Sequence, residues 1–189
     1  MTTLAAIESD PLHQPWSQTM NDMHPIRLRL RAMALCLATV LAPAAWAIEA
    51  GAAAPEVNLP GVKEAISLAG LKGKVVYVDF WASWCGPCKQ SFPFMNELQA
   101  KYRAQGFEIV AINLDAKRED ADKFLSAVPA QFNVAFDTKG ESAKRFEVKG
   151  MPSSYLIGRD GKVFAAHKGF KEEDRKELEA RIAQALAAR

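Results

Sequence analysis

Residues 75–95, "VVYVDFWASWCGPCKQSFPFM", join three unlike patterns in one stretch. Val75 to Ala82 is β-branched and aromatic almost throughout, the composition of a strand buried on both faces. Cys85 and Cys88 follow, with only Gly86 and Pro87 between them. Phe92, Met95 and Leu98 then recur at helical spacing, which predicts a helix from the cysteines to about Ala104, kinked at Pro93. A central strand that ends in a cysteine pair at a helix start decides the reading of the whole chain. The pair itself is a redox switch, a metal clamp or a structural staple.

Downstream, "GFEIVAINL" (106–114) restores a strand, and "REDADKFLSAV" (118–128) predicts a helix whose acidic first turn suits the macrodipole. "NVAFD" (133–137) reads as a short strand and "GESAKRFEV" (140–148) as a helix. "SSYLIGRDGKVFAAHKG" (153–169) reads as a hairpin turning at Arg159, Asp160 and Gly161, and a last helix runs from about Glu172 to Ala188. The order β-α-β-α-β-α-β-β-α predicts an α/β fold: a mixed parallel/antiparallel central sheet with helices on both faces.

Upstream, residues 48–60, "IEAGAAAPEVNLP", are rich in Ala, Pro and Gly and read as a linker ending against the edge of a domain that spans 61–189. Residues 1–47 read as a leader. Arg27, Arg29 and Arg31 precede the 11-residue apolar run "AMALCLATVLA", and Ala45-Trp46-Ala47 supplies a small-x-small cleavage signature. The run is too short for a membrane span, so a signal peptide cleaved after Ala47 is expected, with an uncleaved anchor as the alternative. Met20 and Met23, just upstream of the arginines, are possible true starts. Cys36 lies inside the apolar run and leaves with the leader.

With 49% hydrophobic and 24% charged residues the composition is globular, and 24 Lys plus Arg against 22 Asp plus Glu gives a net +2. The charges are scattered rather than gathered into a stripe, which argues against nucleic acid as a partner. "KEEDRKELEAR" (171–181) alternates in sign, as the solvated face of a helix does.

Export bears on the cysteines. Outside the cytosol a pair of thiols is a stable bridge or a managed redox couple. A loop of two residues is a poor staple, because closing it removes little entropy from the unfolded chain. A structural zinc site takes four ligands, and beyond the leader the chain offers two cysteines and His167. Copper(I), which soft sulfur suits, stays open. In the redox reading, Cys85 at the helix N-terminus has an exposed, partly ionised sulfur that attacks a partner's disulfide, and Cys88 resolves the product. Gly86 and Pro87 keep the loop tight and pre-set the helix start.

"VDFWASWCGPCKQSFP" resembles the active-site segment of thioredoxins. With the export signal and the "APEVNLPG" element, the chain is more similar to the TlpA/ResA-like extracytoplasmic thiol-disulfide oxidoreductases of the thioredoxin superfamily, over residues 54–188. The resemblance implies a thioredoxin-like fold and an enzyme acting by dithiol-disulfide exchange through Cys85 and Cys88, with no cofactor and no metal. It implies a buried carboxylate at Asp79 that takes the proton of Cys88, and a cis-proline at Pro152 whose preceding residue, Met151, pairs with a bound substrate strand. Trp84 would border the cysteines as an exposed apolar contact, beside Gly86 and Pro87 on the substrate side. Trp81 is packing, and Gly169 belongs to the substrate-facing surface.

Departures from the family pattern carry information too. Ala111 stands where thioredoxins keep a lysine opposite the carboxylate, and Ser153 where members that mature cytochromes carry a glutamate. CGPC rather than CPHC inclines the reading towards a reductant. Ala82, three before Cys85, is not the Thr or Ser of a thiol peroxidase. The expected partners are disulfides of exported proteins and a membrane thiol electron donor, and the expected location is the periplasm. The alternative is a copper(I)-handling module that assists metal-site assembly in copper proteins through the same two cysteines.

Overall fold

The computed structural model describes residues 48–188; the leader, with Met20, Met23, Cys36 and the cleavage after Ala47, lies outside the described residues. Two short strands, β1 (Asn58–Leu59) and β2 (Ile66–Ser67), precede the buried run of the sequence, which forms β3 (Val75–Trp81). There follow α1 (Gly86–Tyr102), β4 (Phe107–Asn113), α2 (Arg118–Ala127), β5 (Asn133–Phe136), α3 (Glu141–Arg145), β6 (Ser153–Ile157), β7 (Val163–Lys168) and α4 (Arg175–Ala187). From β3 onward this is the predicted order. The β1–β2 pair has no counterpart in the sequence reading, because strands of two residues carry no periodicity.

The main sheet runs β5-β4-β3-β6-β7. β3, β4 and β5 are parallel, whereas β6 and β7 are antiparallel additions on the other side of β3. β3 is therefore central, and all seven of its residues are buried. Successive strand side chains point to opposite faces, so Val75, Tyr77, Asp79 and Trp81 share one face and Val76, Val78 and Phe80 the other. The first face is covered by three helices, through Phe92, Met95 and Leu98 of α1, Phe124 of α2, and Leu178 and Ile182 of α4. The second carries an aromatic cluster in which the Phe80 and Phe146 centroids lie 5.3 Å apart and those of Phe146 and Tyr155 5.0 Å.

Among the described residues, α3 is the α-helix on that second face, and it is shorter than the predicted 140–148. Its start is held by Asp137, whose carboxylate accepts the backbone N–H groups of Glu141 and Ser142. It stops because Glu147 adopts φ 53°, a left-handed conformation that cannot continue a right-handed helix. The N-terminal segment makes up the missing cover. Gly51 donates to the Val163 carbonyl at 2.7 Å on β7, Val57 is 1% exposed within the second core, and the Phe136 N–H on β5 donates to Pro60 at 2.9 Å. Residues 51–61 thus span the second face from one edge of the sheet to the other.

The Tyr155 hydroxyl donates to the Phe146 carbonyl at 2.5 Å and ties β6 to the end of α3. Tyr155→Phe leaves that buried carbonyl unpaired and is expected to lower unfolding free energy by about 1–2 kcal/mol in urea titrations, without change in disulfide-exchange rate.

Candidate active site

The carboxyl ends of the parallel strands β3 and β4 lie side by side, and the Leu114 N–H closes their ladder on the Trp81 carbonyl at 2.9 Å. Just beyond, Asp115 holds the loop that leads to the cysteines. Its carboxylate accepts both the Ser83 N–H and the Ser83 hydroxyl at 2.9 Å, and the Asn113 amide donates to it at 2.7 Å. Asp115 is itself buried. Three hydrogen bonds to one anion fix where the chain leaves the strand and so where α1 begins.

Cys85 occupies the N-cap of α1 in an extended conformation, φ −84° and ψ 104°. Its sulfur accepts the Cys88 N–H at 3.3 Å, the position that a Ser or Asp oxygen takes in an ordinary cap. The same sulfur faces the positive end of a 17-residue helix, an arrangement that favours thiolate over thiol. Cys85 and Cys88 are joined as a disulfide with their Cα atoms 5.3 Å apart. The sequence reading expected an exposed outer sulfur, whereas in this bonded form Cys85 is buried, 5% exposed, and Cys88 is 0% exposed, because both pack into the apolar cluster under α1. In the bonded form both sulfurs lie against the core, and attack from outside reaches only Cys85.

The surface beside the pair is open. Trp84 is 73% exposed beside the pair, and Gly86 and Pro87 are exposed next to it. Gly86 does not need its freedom for the turn, since its φ is not positive and a Cβ there would meet no atom within 4 Å. Its lack of a side chain keeps the surface low beside Cys85. The Met151–Pro152 bond is cis, and Met151 packs against the apolar cluster that contains Cys85 and Cys88. Gly169, at φ 81°, donates to the Pro152 carbonyl at 2.8 Å and fixes that loop from β7.

Asp79 lies beneath, 2% exposed, on the face of β3 that α1 covers. The register sets Ala111 of β4 on one side of it and Ser154 of β6 on the other. No lysine opposes it, as the sequence reading expected. Its Oδ2 has no hydrogen-bond partner, and burial raises its pKa well above the ordinary carboxylate range. The sequence reading missed Asp115 as a support of the cysteine loop and Ser154 as a neighbour of Asp79, and weighed His167 only as a metal ligand. The position of Asp115 just past a parallel strand end is the one signal that could have found it; the other two are joined to Asp79 only by strand register. Among the described residues, no group of three or more His, Cys, Asp or Glu side chains converges as a metal site.

The family model described as Redoxin matches residues 49–182. The chain is 39% identical over 135 residues to the thiol-disulfide oxidoreductase ResA of Bacillus thuringiensis subsp. konkukian, covering 70% of this chain and 76% of that protein. It is 34% identical over 127 residues to ResA of Bacillus subtilis, covering 67% and 71%. Among solved structures, a Chlorobium tepidum protein assigned as the thiol:disulfide interchange protein DsbE is 55% identical with a TM-score of 0.73, covering 74% of this chain and 99% of that one.

An acid whose pKa is raised by folding makes the fold bind more protons than the unfolded chain. Stability then falls as pH rises from the unfolded value of about 4 until the raised folded value is passed. Asp79→Asn is expected to remove that decline and to raise the urea midpoint of the oxidised protein at pH 8 more than at pH 4. Equal midpoint shifts at the two pH values would contradict the assignment.

Proposed function

The chain belongs to the Redoxin family of thiol-disulfide oxidoreductases, and on that premise we propose that it is exported and reduces disulfides of periplasmic proteins through Cys85 and Cys88. The sulfur cap on α1 is the observation that carries the reading, since it lowers the cost of a thiolate at Cys85. In the reduced protein the Cys85 thiolate attacks one sulfur of a partner's disulfide, forming a mixed disulfide and releasing one partner thiolate. Cys88 then gives its proton to Asp79 and attacks the Cys85 sulfur, which releases the second partner thiolate. Two electrons pass to the partner, and Cys85 and Cys88 end as the disulfide.

Trp84, Gly86, Pro87, Met151 and Pro152 form the proposed substrate surface, with the Met151 backbone offered to an extended partner segment. Export rests on the leader read from the sequence; no helix among the described residues is long and apolar enough to cross a membrane. A membrane thiol donor returns electrons to the pair. The copper(I) reading relies on the same two sulfurs alone.

Cys85→Ser is expected to abolish insulin disulfide reduction, whereas Cys88→Ser accumulates mixed disulfides with exported proteins in cells. The rate of iodoacetamide alkylation of reduced Cys85 should stay high at pH 6–7, below the range of an ordinary thiol near 8.5. Alkylation that follows an ordinary thiol, with no trapped species, would sink the exchange mechanism. Tight Cu(I) binding with feeble insulin reduction would put the copper function in its place.

A further inference from the structure

Proton transfer from Cys88 to Asp79 creates a problem of return. The acceptor is 2% exposed, the cysteine above it 0%, and a proton delivered there has to reach water before the next cycle. On the β4 side the way is closed by Ala111, which is apolar and fully buried. On the other side the sheet supplies a polar row. Asp79 is in register with Ser154, and Ser154 with His167 on β7. In-register partners project to the same face with Cα atoms roughly 4.5–5.5 Å apart, so the three side chains stand in line.

Two further observations fall on that line. Among the described residues, three buried side-chain polar atoms lack a hydrogen-bond partner, and Asp79 Oδ2 and His167 Nε2 are two of them. Buried polar atoms are ordinarily paired, and the exceptions mark functional or hydrated positions. At the Ser154–His167 end of the row lies a cavity of about 10 Å³ whose lining includes Tyr77, Ser154, Leu156, His167 and Ile182, at the lower limit of room for one water molecule. The row ends at solvent: the His167 side chain is 25% exposed, and its Nε2 lies 3.4 Å from Oδ2 of Asp174, itself 28% exposed.

We propose that Ser154 and His167 form a proton path from Asp79 to solvent beside Asp174, so that His167 is a positioning residue for the resolving step of disulfide exchange. This rests on the proposed role of Asp79. After Cys88 has given up its proton and bonded to Cys85, the carboxyl of Asp79 passes that proton to the Ser154 hydroxyl as the hydroxyl hands its own onward. The imidazole of His167 receives it and releases it to water, and the carboxylate is restored. Histidine suits this position because one ring nitrogen can accept a proton while the other donates one. The other titratable or charged groups facing the row are Tyr77 from β3, Asp174 from the turn before α4, and Arg181 from α4, which is paired with Glu177.

The test is single-turnover oxidation of the reduced full-length protein by a peptide disulfide, followed by tryptophan fluorescence from pH 5.5 to 9.5. His167→Ala is expected to slow the resolving phase near pH 7 by about tenfold, less than loss of the acceptor itself. The effect should fade at high pH, where Cys88 ionises unaided, and added imidazole should restore the rate. Ser154→Ala should behave alike, Ser154→Thr should retain the rate, and His167→Ala should add nothing in an Asp79→Asn background. His167→Gln serves as the second variant should the alanine change impair folding. Slowing by Asp79→Asn with unchanged pH profiles for both His167 variants would overturn the path and leave the acceptor role standing. Uniform slowing at all pH values without imidazole rescue would reduce His167 to a structural contact. No slowing by Asp79→Asn would remove the acceptor role and the path together.

Discussion

The first N–H groups of an α-helix have no partner within the helix, and in this protein a sulfur atom takes one of them. The rest of the fold serves to put that helix start where a sulfur can occupy it. β3 is central and buried on both faces, so its end is a rigid point of departure. Asp115 clasps Ser83 two residues before the cap, and Phe92, Met95 and Leu98 press the following turns onto the sheet. A cap set on such fixed supports stabilises an anion without reorganisation, and this is what nucleophilic thiol chemistry requires.

Asp79 runs against the logic of the core in which it sits. A buried carboxyl with an unpaired oxygen and no cation beside it disfavours its own charged form. Local conflicts of this kind are expected at functional positions, where a fold gives up stability for chemistry. The same burial that raises the affinity of Asp79 for a proton also shuts off its exchange with water. Ser154 and His167 are its in-register neighbours on the side away from Ala111.

The two faces divide the labour. Three helices cover the face that holds the cysteines and Asp79, whereas α3, the aromatic cluster of Phe80, Phe146 and Tyr155, and the segment 51–61 cover the other. That segment, read from its composition as a linker, lies across the sheet with Val57 in the core. Its Ala and Pro content hid this, since single buried residues in an irregular run leave no periodic trace.

Periodicity and spacing made the central strand, the cysteine pair at a helix start, the final hairpin and the mixed sheet legible in the sequence alone. Each depends on contacts within a few residues or on a hydrophobic pattern along one element. The resemblance to thioredoxins supplied Asp79 and Pro152, which no local pattern singles out. Strand register decided the rest: that Ala111 faces Asp79, that Ser154 and His167 stand in its row, and that Asp115 reaches back to Ser83. Ala111, Ser154 and His167 lie 32, 75 and 88 positions from Asp79, and Asp115 lies 32 from Ser83, so that only the pairing of strands, a property of the whole sheet, brings them together.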